Sequence, residues 1–241
     1  MKKRLHIVSA EFGRKIPNLS TIYLPPQINN DYEITTSYYT DENTHDRKFS
    51  LHPILKSKIP KMLEWMDVDA DYYVWIDATF KITSNDFANE MIKCLGDSEI
   101  CLFRHPYNDC IRTELSKLEE DIKLKESWSL KYVGESIKEQ VDSYLKDKNF
   151  VDDILFASGF FVYKKSLVQN RDYNLMTDWF FHTCYWSILC QISLPYLIKK
   201  HKIKFSTFED RVYNNRYALY DWERKENIDN NINMKINNKN E

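Results

Sequence analysis

The sequence predicts an α/β fold organised around a central sheet. Three observations predict it. Short apolar runs alternate with helix-compatible segments along most of the chain. One of these, within residues 71–82 (DYYVWIDATFKI), is β-favouring from Tyr72 to Ile76 and stops at a single acid, Asp77. The hydrophobic content, 43% of 241 residues with 15% aromatic, is ample for a packed core in one α/β domain. An apolar run ending at a carboxylate reads as a buried central strand delivering one charge to its C-terminal edge. That edge is where open α/β sheets bind ligands. A buried Asp is costly unless something positive meets it, which implies a metal ion or a basic partner. An Asp that merely caps the following turn is the competing reading.

Taken in order, Leu5–Ser9 is a mostly apolar first strand, followed by a loop containing Pro17, Pro25 and Pro26. Tyr32–Tyr39 alternates Ile34 and Thr36 with polar neighbours and reads as a second strand. From Asp46 to Met66 the chain is basic, with Arg47, Lys48, Lys56, Lys58 and Lys61, and helix-compatible apart from Pro53 and Pro60. After the Asp77 strand, Ser84-Asn85-Asp86 can cap a helix running to Lys93 and stopped near Gly96. Glu99–Phe103 is a short strand leading into RHPYNDCIRTEL. Residues 116–148 are charged and helical by propensity, with Glu/Lys pairs at helical spacing and a break expected near Gly134. A flap and a solvated helical layer are the two readings, with the solvated layer as default. In ILFASGFFVY, residues 154–163, Ser158-Gly159 is expected to form a small-residue turn that lets a backbone or ligand approach closely. Leu175–Leu197 is expected to be one long buried aromatic helix, with Met176, Trp179, Thr183, Trp186, Cys190 and Leu197 on its core face and Ser187 and Gln191 pointing together elsewhere. Lys204–Phe208 is the last strand. Residues 1–213 form the expected domain, and 214–241 a polar tail with the composition of partial disorder.

Composition removes several classes. A net charge of −2 calls for neither nucleic acid nor an anionic membrane. Five cysteines without a CxxC pair argue against a zinc site or a disulfide framework and suit a reducing, cytoplasmic setting. No GxGxxG or Walker loop can be written with the four glycines, which demotes nicotinamide enzymes and P-loop kinases. The opening MKKRLHIVSAEFG is a strand rather than a signal peptide. Residues 179–198 carry no formal charge and reach the ~20 residues needed to span a bilayer. They also hold His182, Thr183, Ser187, Gln191, Ser193 and Pro195, polar groups that suit a pocket-lining core helix, so no transmembrane segment is expected.

One strand-end acid, an upstream basic segment and a downstream polar-and-aromatic helix are what chemistry on a diphosphate-linked substrate needs. WIDATFKI, FRHPYNDCIRTEL, FFVYKK and W-x-x-x-C-Q-I-S occur in the order, and at roughly the intervals, of a family of small GT-A-like glycosyltransferases. The chain resembles the glycosyltransferase-like domain found in bacterial and viral polysaccharide loci and in a plant Golgi family, from about Arg47 to Tyr196. The resemblance implies a GT-A-like α/β/α sandwich with a mixed, mostly parallel sheet. It also implies a nucleotide-sugar donor, a divalent metal (Mn²⁺ or Mg²⁺), and a glycan or lipid-linked sugar acceptor, the latter allowing peripheral membrane contact.

Carried over by position, Asp77 matches the strand-end, metal-holding acid, whereas the second acid of a DxD pattern is replaced by Thr79. Arg47 and Lys58 match basic positions suited to the diphosphate, joined by Arg104 and His105. His105 and Glu114 belong to the H-P-x-x-x-C-x-x-x-E stretch. Ser158, Gly159, Trp186, Ser187 and Gln191 are expected to line the sugar pocket. Cys190-Gln191 stands where the family more often has Asp-Gln. An ordinary thiol, with a pKa of about 8.5, is a poor base, so Glu114 or Asp109 is expected to serve unless the enzyme is retaining.

Each assignment has a plainer rival. His105 can be a satisfied loop histidine, and Glu114 an acid favoured by a helix N-terminus. Arg47 and Lys58 can be solvated charges. Trp179 and Trp186 are core in any reading, and Cys190 can be a small buried hydrophobe. The expected function is sugar transfer from a nucleotide-diphosphate donor to a glycan in polysaccharide or glycoconjugate synthesis. A catalytically degenerate nucleotide- or glycan-binding module and a nucleotide-processing phosphohydrolase are the alternatives.

Overall fold

The computed structural model describes residues 2–13, 21–28, 31–44, 52–169 and 174–222. Along them run β1 (Lys3–Glu11), β2 (Tyr32–Thr40), α1 (Pro53–Leu63), β3 (Tyr72–Ile76), β4 (Phe80–Ile82), α2 (Phe87–Leu95), β5 (Ile100–Arg104) and α3 (Ile111–Lys123). They are followed by α4 (Ile137–Leu145), β6 (Phe156–Lys164), α5 (Ser166–Gln169), α6 (Leu175–Tyr185), α7 (Ser193–Lys200), β7 (Phe205–Thr207) and β8 (Ala218–Tyr220). The main sheet has the order β2-β1-β3-β6-β5-β7. β1 is parallel to β2 and β3, β5 is parallel to β7, and β6 runs antiparallel between β3 and β5. The sheet is therefore mixed and mostly parallel, as expected. β4 and β8 form a small antiparallel pair beside it.

Period-two alternation in β3 divides the interior. Tyr73 and Trp75 pack on one face with Met62, Phe161, Trp179 and Leu197 from β6 and the helices. Tyr72, Val74 and Ile76 pack on the other with Phe87, Met91, Phe103 and Phe160. Both faces are covered, which explains a strand that is apolar at every position. Burying each such side chain stabilises the fold by roughly 1.5–3 kcal/mol.

Several expectations need correction. The stretch 175–197 is two helices, not one. α6 ends at Tyr185, and α7 starts at Ser193 so that Pro195 sits in its first turn. Proline lacks the N–H an uninterrupted helix would need there and would clash with the carbonyl four residues back. Ser158-Gly159 is not a turn but a bulge in a continuous strand. The β5 register jumps from Leu102↔Phe161 to Phe103↔Ala157, leaving residues 158–160 outside that ladder. The charged stretch after Ser116 is not merely a solvated layer. Leu118, Ile137, Val141 and Tyr144 bury one face against Leu189 and Ile192. The break before α4 comes where expected, with Gly134 at φ 87°. Residues 214–222, expected to open the tail, include β8; residues 223–241 lie outside those described. Among the described residues no helix is long and apolar enough to cross a membrane.

Candidate functional site

Asp77 follows the last residue of β3, where the parallel strand meets antiparallel β6. Its amide donates to Gly159 O (2.7 Å), and its own carbonyl accepts from Phe80 N (2.9 Å), turning the chain into β4. The Trp75 indole, two residues back on the same strand face, donates to Asp77 Oδ1 at 2.7 Å. A β-carbon at position 159 would lie 2.8 Å from Asp77 Oδ2. Only glycine leaves room for the carboxylate, and the bulge at 158–160 brings that glycine against it.

From the Trp75 face, α1 delivers two cations. Lys58 and Lys61 are three residues apart and so share a helix face. Lys58 Nζ donates to Cys190 Sγ at 3.2 Å. Lys61, only 3% exposed, donates to Ser158 Oγ at 3.3 Å. Ser158 Oγ in turn lies 3.4 Å from Cys190 Sγ. The rings of Trp75, Trp179 and Phe161 lie 5.5, 5.6 and 5.9 Å from the Lys61 nitrogen. Burial holds the Lys61 amine below its ordinary pKa, against the pull of Cys190 and Asp77. Burial pushes the Cys190 thiol up, but Lys58, Lys61 and the Ser158 hydrogen bond outweigh it, and the thiol lies below its ordinary value. Cys190 is thus a sulfur partner shared by two lysines, with Lys58 donating to it and Lys61 close enough to favour its ionised form. The sulfur is buried, as a small core residue would be, and it also contacts Lys58 and Ser158.

Cys190 is fixed by its neighbours in the segment between α6 and α7. The Trp179 indole donates to Cys190 O at 2.7 Å, and Ser193 Oγ donates to the same oxygen at 3.0 Å. Gln191 Nε2 reaches the other way and donates to Glu114 Oε1 at 2.5 Å. Asn108 Nδ2 donates to Glu114 Oε2 at 2.6 Å. Glu114 is 2% exposed, one turn into α3. His105 Nδ1 accepts from Asn108 N at 3.0 Å, which leaves the ring proton on Nε2, 3.8 Å from Glu114 Oε2. Burial holds His105 below its ordinary value against the opposing charge of Glu114.

The structure thus joins Asp77, Ser158, Gly159 and Lys58 in one cluster and His105, Glu114 and Gln191 in a second, linked by the Cys190-Gln191 peptide. Arg104 is exposed at the end of β5 and Asp109 is exposed before α3. Ser187 is buried and donates to Gln140 Oε1 on α4 at 2.7 Å, so it does not point with Gln191. Trp186 is half-buried beyond the end of α6, edge-on to Tyr185 at 4.9 Å, rather than core. Arg47 lies outside the described residues. Lys61, Trp75 and Asn108 are participants that residue patterns did not single out. The K-x-x-K spacing and the W-x-D alternation were the signals available.

Asp77 is the one carboxylate the cluster offers a divalent cation. Asp77 Oδ1 is taken by Trp75, Thr79 is buried in place of a second acid, and two lysines share the cluster. Among the described residues no group of three metal-ligating side chains converges.

No protein-family model and no curated protein matches the chain. Two solved structures are similar in shape. One is a glycosyltransferase involved in the glycosylation of the major capsid of PBCV-1: TM-score 0.43, 7% identity, covering 95% of this chain and 99% of the other. The second is mouse xyloside xylosyltransferase 1 in its apo form: TM-score 0.43, 8% identity, covering 85% of each chain. Likenesses this distant assign no family.

Proposed function

We propose that the chain is a nucleotide-sugar-dependent glycosyltransferase acting on a glycan or lipid-linked acceptor in polysaccharide or glycoconjugate synthesis. A cytoplasmic setting, suggested by its thiol usage, is part of the proposal. The observation that carries it is Asp77 at the carboxyl edge of β3 with Lys61 close enough to feel its charge and Lys58 joined to the same cluster through Cys190. Fixed cations beside a glycine-lined carboxylate suit a reaction in which a diphosphate leaves with growing negative charge. Preorganised charge of this kind stabilises such a transition state without reorganising when the bond breaks. In this reading Lys58, half-exposed, contacts the diphosphate, Lys61 and Ser158 hold Cys190 and the bulge in place, and Asp77 orients the sugar. Glu114, paired with His105 and braced by Asn108 and Gln191, is the proton acceptor for the attacking hydroxyl. A carboxylate has lone pairs beyond the two bonds it already accepts.

The test is a thermal-shift and turnover screen of nucleotide sugars against the matching nucleoside diphosphates and free nucleosides. A true donor at 100 times its dissociation constant adds roughly 2.7 kcal/mol of stability, and slow hydrolysis without acceptor is expected. Binding with no turnover under any acceptor would make the chain a binding module. Equal degradation of unglycosylated nucleotides would make it a phosphohydrolase.

A further inference from the structure

On the sheet face opposite the lysines, a chain of rings leads away from Asp77. Phe80, three residues on, meets Tyr220 at 4.8 Å across the β4–β8 pair. Tyr220 meets Tyr213 at 4.6 Å and Trp222 at 4.7 Å, and Tyr213 meets Trp222 at 5.0 Å. Tyr213 also lies 6.2 Å from Tyr107, whose ring is 6.1 Å from His105 in the Glu114 cluster. The row therefore bridges the two clusters of the candidate site on its outer side. Two of its members are open to solvent, Tyr107 at 73% and Trp222 at 54% exposure. A cavity of about 180 Å³ opens beside it, lined by Tyr213, Asn214, Asn215, Thr83, Ala218 and Leu219.

The two sides of Asp77 differ in chemistry. One presents ammonium groups and a thiol; the other presents aromatic faces, the Asn214 amide and the Thr83 hydroxyl, while the Asn215 amide is held by the backbone of Val212, Tyr217 and Ala218. On the loop carrying Tyr213, Asp210 and Arg216 satisfy each other through bonds of 2.9 and 3.0 Å. Phosphates belong with the cations. A neutral, polyhydroxylated ring with apolar C–H faces belongs with the rings and polar side chains, since exposed aromatics offer rigid apolar area and a nearby amide or hydroxyl satisfies sugar hydroxyls. We infer that Tyr107, Tyr213 and Trp222 form a saccharide platform that receives the acceptor sugar and presents its hydroxyl to the Asp77–Glu114 edge. The word acceptor rests on the transferase reading; saccharide binding by the platform does not.

The experiment is ligand-observed saturation-transfer NMR with methyl glucoside, methyl galactoside, methyl mannoside, methyl xyloside, chitotriose and maltotriose. Each is added to the full chain and to the Trp222→Ala and Tyr107→Ala variants, with Tyr107→Phe as the ring-retaining control. Wild type and Tyr107→Phe are expected to bind at least one of these saccharides. Trp222→Ala and Tyr107→Ala are expected to weaken it by about tenfold, the effect of losing a well-placed aromatic anchor. Thermal shift by nucleoside diphosphates should be unchanged in all variants. Saccharide binding that survives both alanine variants, or no saccharide binding by wild type, overturns the platform. Loss of nucleotide binding in Trp222→Ala also overturns it, by giving the rings to the nucleobase. If saccharides bind but no nucleotide sugar does, the platform stands and the transferase reading falls.

Discussion

Lys58 Nζ lies 3.2 Å from Cys190 Sγ, across 132 positions of sequence. A lysine on α1 and a cysteine in the segment between α6 and α7 are thereby one electrostatic unit, with Lys61 completing it. Replacing the cysteine by alanine leaves the buried Lys61 without its largest favourable partner. Removing one member of a buried charged pair costs about 3 kcal/mol, whereas replacing both by apolar groups is close to neutral. Cys190→Ala is therefore expected to be strongly destabilised in urea, and Lys61→Met in the same chain to restore most of the loss. If the double variant is no more stable than Cys190→Ala, the two side chains are not coupled.

The same unit sets a pH dependence. Cys190 and Lys61 both titrate below their ordinary values of 9.0 and 10.5 in the folded chain. Between each lowered value and the ordinary one the unfolded chain holds the extra proton, so stability rises with pH there. The contribution is complete above the ordinary values and is lost as pH falls through the folded ones. The melting temperature of wild type minus that of Cys190→Ala/Lys61→Met is expected to climb from neutral pH towards pH 9.0. A difference that stays flat would show that neither group is shifted.

Gly159 and Asp77 compete for one space. Gly159→Ala puts a methyl 2.8 Å from Asp77 Oδ2, and overpacking of that kind costs about 1–3 kcal/mol. The variant is expected to fold with reduced stability and lose donor binding. Asp77→Asn alone keeps the Trp75 hydrogen bond and the fold while losing donor binding. Adding Asp77→Ala to Gly159→Ala should recover stability but not binding. Recovery of neither would place the clash elsewhere, for instance on Phe80.

Lys58 is the cation open to a ligand. Lys58→Ala is expected to weaken nucleoside diphosphate binding by about 1.5–3 kcal/mol, one charge-assisted contact. Isothermal titration with the free nucleoside should show little change. Equal losses for both ligands would indicate damaged folding rather than a lost phosphate contact.

Glu114→Gln tests the proton acceptor. Turnover is expected to fall by about 10²–10⁴-fold with donor affinity held, the usual contribution of a general base. Gln191→Ala keeps the carboxylate and should cost far less. If Gln191→Ala reproduces the full loss, Glu114 only positions the Cys190-Gln191 segment.

Much of the architecture was legible in the residues because it is set locally. Apolar runs such as Tyr72–Ile76, the Gly96 stop and the Gly134 break depend on side-chain periodicity and backbone freedom within a few positions. Asp77 at a strand end belongs to the same class. Pro195 was also legible as a helix breaker, yet the apolar continuity of 175–197 masked it. Only the tertiary structure decided that Ser158-Gly159 bulges towards Asp77, and that Glu114 answers Gln191 from 77 positions away. It also decided that the Cys190 sulfur meets Lys58 and Ser158, partners its local sequence does not supply. Charge state and contact depend on which groups share a volume, and the packing of α1 and α6 on one sheet face settles that.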